Sequence, residues 1–140
     1  MSAYSWDVNW LAVLVSAVAT FVIGGIWYAA LFGKAWAALN GHDEAALAEM
    51  GKQQGRNFAT FFAGDLVMAT VLSVLIANSS VVTSAGPGAL LGGLCWLGIA
   101  ATIGLSKAFA NGKPVGAWLL DTGHELVCLV TMGAILGGWR

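Results

Sequence analysis

Asp65, Asp121, His124 and Glu125 are ionisable side chains set inside otherwise apolar stretches. Such a group costs ~3 kcal/mol near the centre of a bilayer, so each must face protein or water, and each is a candidate for function. Asp121 is followed by His124 and Glu125 at spacings of three and four, which puts all three on one helical face. Trp118 marks the near interface, and Glu125 lies about 10 Å deeper along the helix. Asp65 lies the same seven residues in from Phe58. The carboxylates therefore fall at similar depth, with His124 between them, as one polar cluster.

Three chemistries fit that set. A hydrogen-bonded network between helices would fix their register. A protonatable or cation-binding site would handle a proton, an ion or a small solute. Carboxylate with imidazole also suits zinc, manganese or iron, but a single His without a standard ligand spacing leaves any metal unidentified. No HExxH motif occurs, no glycine loop is placed to cradle phosphate, and no Ser, Cys or Thr nucleophile neighbours His124 in sequence. The expectation is a protein that is not an enzyme and carries no cofactor.

The elements that hold these residues follow from composition. The chain has 140 residues, 59% hydrophobic and 9% charged, with a net charge of −1. Soluble domains carry roughly a quarter charged residues, so this chain cannot cover a water-facing surface. A soluble enzyme and a nucleic-acid partner are excluded, and the expected partner is a lipid bilayer. Cys95 and Cys128 sit in apolar runs and read as small buried hydrophobes. Residues Met1 to Asp7 lack Lys and Arg, so the first apolar run reads as a retained helix rather than a signal peptide.

Four apolar stretches, at about 10–32, 58–77, 89–106 and 115–139, are each long enough to cross a hydrocarbon core about 30 Å thick. Within lipid the backbone must satisfy its own hydrogen bonds, so the expected fold is all-α: one domain, residues 1–140, a membrane-spanning bundle of four transmembrane helices. Trp10 at one end of the first span, Trp27, Tyr28 and Trp36 toward its other end, and Trp118 and Trp139 bracketing the fourth read as interface anchors. Trp27 and Tyr28 have a second reading, as the lining of a ligand groove near the depth of Asp121. Lys34, Lys52, Arg56, Lys107 and Lys113 fall in the two connections on one side, and Arg140 alone on the other. The positive-inside rule then puts the two connections in the cytoplasm and both termini outside. Asp43 and Glu44 followed by Gly51 predict a short helix in the first connection.

Small residues form stripes at spacings of four: Ala12, Ser16, Thr20 and Gly24; Gly98, Thr102 and Ser106; and Gly133 with Gly137. Such stripes let helix backbones approach closely, within one chain or between copies. Four short helices enclose little volume, so homo-oligomerisation or a membrane-protein partner is expected. A faint repeat relates Lys34-Ala35-Trp36 to Lys107-Ala108-Phe109 and Asp65-Leu66-Val67-Met68 to Glu125-Leu126-Val127-Cys128. It suggests two hairpins related by an axis along the membrane normal.

Asn9-Trp10-Leu11-Ala12-Val13, the run Gly25-Ile26-Trp27-Tyr28-Ala29-Ala30-Leu31-Phe32-Gly33-Lys34-Ala35-Trp36, and Met132-Gly133-Ala134-Ile135-Leu136 before Trp139 resemble the small bacterial membrane proteins of domain of unknown function 1761. The resemblance covers nearly the whole chain. It implies a four-helix inner-membrane protein and no particular reaction. Members often carry Ser-Pro where this chain has Ala29-Ala30. Two classes of function stay open. One is a solute- or ion-handling protein using the polar cluster, in which Glu125→Gln would change binding or transport. The other is a non-catalytic subunit of a larger complex, with Gly133→Leu expected to break the association.

Overall fold

The computed structural model describes residues 3–140, and among these every regular element is a helix. Four helices are long and apolar enough to cross a membrane: α1 (Trp10–Leu31), α4 (Gln54–Ala77), α5 (Ala85–Ala110) and α6 (Val115–Gly138). Between α1 and α4 lie two short helices, α2 (Gly33–Leu39) and α3 (Glu44–Gly51). The chain is a multi-pass membrane protein of the all-α class.

Two spans outrun their apolar stretches. α4 starts at Gln54 rather than near residue 58, and α5 runs from Ala85 to Ala110 rather than 89–106. The reason is local. Pro87 falls in the first turn of α5, where its missing N–H has no helical acceptor to lose. Lys107 falls in its last turn, where a cation complements the helix dipole. Both α2 and α5 end on Asn-Gly: Asn40-Gly41 with φ +71° and Asn111-Gly112 with φ +67°. Positive φ there turns the chain sharply out of the helix, a conformation glycine adopts at no steric cost. In the first connection, the Asp43 carboxylate accepts from the Ala46 N–H (2.8 Å) and starts α3.

Two stretches of wide, π-type turns interrupt the spans, Ile26–Leu31 in α1 and Trp96–Ala100 in α5. After the first, Phe32 leaves helical geometry (φ −121°, ψ 7°), so the chain breaks beside Ala29-Ala30 without a proline.

α6 is the centre of the bundle. α5 lies along it so closely that a methyl added at Gly88 or Gly92 would strike the carbonyls of Gly133 or Leu129, and one at Gly133 the carbonyl of Gly88. α1 packs on both α4 and α6, while α5 packs almost wholly on α6. Only 17% of the most apolar window of α5 is buried, and the bundle stands open between α4 and α5. The apolar core gathers Ala12, Val13, Ala69, Leu72, Ile76 and Met132, in the half farther from Lys107 and Lys113. At that far end the Asn78 amide exchanges two hydrogen bonds with the Ser5 backbone (2.8 and 2.9 Å). Asn9 donates to the Trp139 carbonyl (3.0 Å), and the Arg140 guanidinium donates to the Val82 carbonyl.

Candidate functional site

The polar residues of α6 meet α1 where its helix widens. Tyr28, one of the residues of the first π-type stretch, donates its hydroxyl to Asp121 Oδ1 at 2.7 Å. His124 packs edge-to-face on the Tyr28 ring, with centroids 5.0 Å apart. A methyl at Gly24 would lie 3.3 Å from His124 Nε2, so Gly24 makes the room the imidazole occupies. Nε2 is 3.3 Å from the Cys128 sulfur, one turn deeper.

Two indoles brace the backbone on either side of Asp121. Trp27 donates from Nε1 to the Leu120 carbonyl (3.2 Å), and Trp96 donates to both the Thr122 carbonyl (2.8 Å) and its hydroxyl (3.0 Å). Each comes from a wide turn, one on α1 and one on α5. Wide turns are frequent at functional sites because they shift a helix face locally. Trp27 and Tyr28 thus turn their polar atoms inward onto α6, while neither lines the cleft described below. Trp118 also turns inward, donating to the Ala101 carbonyl (3.2 Å). Trp10 and Trp139 are exposed at the far end, and Trp36 is half-buried beside Tyr28 and His42.

Asp65 does not join these groups directly. It lies near Thr20 of α1, and Cys128 is near both it and Glu125. Thr20 and Ser16 are buried on the inner face of α1, the Thr20 hydroxyl donating back to the Ser16 and Ala17 carbonyls (both 3.1 Å). Gly133 and Gly137 are consumed by the contact with α5. Gly98 and Thr102 differ: they are exposed on the outer face of α5, with nothing near Gly98.

A cleft of about 230 Å³ opens from the Lys107/Lys113 end of the molecule. Asp121, Thr122 and Glu125 line it farthest along α6, Trp118 and Gly104 line it between, and Lys107, Lys113 and Asn111 line it at the helix ends, where we place its mouth. Among the described residues, two buried side-chain oxygens lack a hydrogen-bond partner, Ser16 Oγ and Glu125 Oε2. No three or more His, Cys, Asp or Glu side chains among the described residues are arranged to hold a metal ion.

Residues 11–137 match the family described as "Protein of unknown function (DUF1761)". This chain belongs to the DUF1761 family. No curated protein and no solved structure is detectably similar to it. The matched region contains all four spans but for the outermost residues of α1 and α6, and every residue of the cleft. Asp121, Glu125, Tyr28 and the two bracing indoles thus lie within the matched region, and the family description carries no reaction with it.

Proposed function

We propose that this protein handles a small cationic solute, or a proton, through the cleft floored by Asp121 and Glu125. The observation that carries the reading is Glu125, which lines the cleft and whose buried Oε2 has no donor within the protein. An unmatched buried acceptor costs roughly 1–3 kcal/mol, more when charged, and an incoming N–H or proton would recover that cost. Asp121 is held in place by Tyr28, and its neighbouring backbone by Trp27 and Trp96, so the floor is organised before a solute arrives. The chemistry is binding and transfer, without bond-making. By the excess of Lys and Arg around the mouth, the cleft faces the cytoplasm of a bacterial inner-membrane protein whose termini lie outside.

The test uses the full chain purified in detergent, with n-butylammonium as probe. Wild-type protein is expected to show saturable binding by calorimetry and a rise in melting temperature, because a ligand that binds only the folded state stabilises it. Glu125→Gln should reduce binding at least tenfold while keeping its helical circular dichroism. Equal binding by the variant would remove the basis for the reading.

The outward Gly98-Thr102-Ser106 stripe favours a second reading, in which the protein assembles with copies of itself or with another membrane protein. Gly133 no longer tests it, because that glycine is used inside the chain. Thr102→Leu is the informative change: native mass spectrometry should show loss of the oligomer or complex, and an unchanged assembly would sink this reading.

A further inference from the structure

The cleft has a charge order that a simple cation does not explain. Its floor holds two carboxylates, whereas its mouth holds Lys107 and Lys113. The one ion pair among the described residues is Lys52–Glu49, so neither mouth lysine is neutralised by a carboxylate within the protein. Lys113 Nζ reaches the Asn40 carbonyl at 3.4 Å, a contact that steadies the ammonium while leaving its charge unmatched. Along α6, Asp121 and Glu125 lie four and eight residues beyond Ala117, which lines the cleft too, or about 6 and 12 Å deeper. The lysines at the helix ends and the carboxylates farther along α6 thus line one cleft in a fixed order.

The sides match such a chain. Trp118 spends its indole N–H on the Ala101 carbonyl and packs beside Gly104, so what it offers the cleft is aromatic surface. Methylene groups pack against such a surface, and an ammonium group passing it is attracted to the ring face. The volume of about 230 Å³ is below the usual range for drug-sized ligands, about 300–1,000 Å³, and restricts the occupant to a small solute.

Resting on the cation site proposed above, we infer that the solute is a small zwitterion, a primary ammonium joined by a short aliphatic chain to a carboxylate. The ammonium meets Asp121 and Glu125, and the carboxylate meets Lys107 and Lys113. An inorganic cation would first meet two lysines and would leave most of the volume unused. An inorganic anion attracted to the mouth would be repelled by the floor. An aminophospholipid headgroup presents its charges in the opposite order, with the phosphate nearer the hydrocarbon and the ammonium farther out.

The experiment is calorimetric titration of the full chain in detergent with glycine, 4-aminobutanoate and 6-aminohexanoate, against n-butylammonium and butanoate. The three zwitterions span the cleft at increasing length. At least one is expected to bind tenfold or more tightly than either single-charge probe. In a Lys107→Gln, Lys113→Gln double variant, both changes lying at the mouth, its affinity should fall to that of n-butylammonium. If n-butylammonium binds as tightly as every zwitterion, or the double variant keeps the preference, the zwitterion assignment is overturned and the cation site stands. If neither n-butylammonium nor any zwitterion binds, both fall.

Discussion

Tyr28 and Asp121 carry the clearest test of the site at the level of single side chains. Their hydrogen bond is 2.7 Å long, links α1 to α6, and has a carboxyl group as acceptor. Hydrogen bonds to charged groups contribute roughly 1.5–3 kcal/mol. Tyr28→Phe keeps the ring against His124 and removes only the hydroxyl. It is expected to lower stability by about 1–3 kcal/mol in a denaturant titration and to weaken n-butylammonium binding. Loss of stability with unchanged binding would make the contact purely structural. Asp121, His124 and Glu125 were legible as one face because their spacing is local to one helix. The role of Tyr28 was only half legible: an aromatic pair near a helix end fits an interface belt as well as a groove, and the choice depends on which helix lies opposite. Trp96, Lys107 and Lys113 gave no signal as site residues, because their importance comes from helices that pack side by side while lying apart in sequence. Cys128 read as a small hydrophobe, and it is buried as such a residue would be, one helical turn beyond His124.

Helices show a sharper division between what pattern reveals and what packing decides. Length and apolarity identified four spans, because hydrocarbon leaves the backbone few alternatives. The stripes did not announce their partners. Gly133 and Gly137 meet α5 at Gly88, which together with Gly92 makes a second stripe of the same spacing, visible in the sequence yet unpaired until the helices are seen together. Gly92→Leu is expected to separate α5 from α6 and abolish the folded monomer, since the added side chain would occupy the Leu129 carbonyl. Thr102→Leu should leave helical circular dichroism and melting temperature near wild type; a collapse there would show that the outer face of α5 is not free. The faint repeat is also limited at this scale. Both α2 and α5 end on the same Asn-Gly turn, and both α1 and α5 widen. Yet α1 packs on two spans and α5 essentially on one, so the hairpins are not interchangeable by rotation.

Taken whole, the molecule is uneven from end to end. The half near Lys107 and Lys113 holds the cleft and the polar groups, and the other half holds the apolar core. The proposed orientation is testable here: a reporter that fluoresces only in the cytoplasm should stay dark when fused after Arg140 and become bright when inserted at Gly41. The reverse result would invert the assignment of the two faces. At the far end, Asn9 is hydrogen-bonded to the backbone of residue 139, and Ser5 and Arg140 both hold the segment that follows α4. The beginning and the end of the bundle are therefore neighbours on one side of the membrane. Their covalent order is separable from their packing: a short linker could join them and new termini could be cut between α2 and α3, with every helix keeping its place. Whether such a rearranged chain still inserts would reveal if assembly depends on α1 being the first span to enter the bilayer.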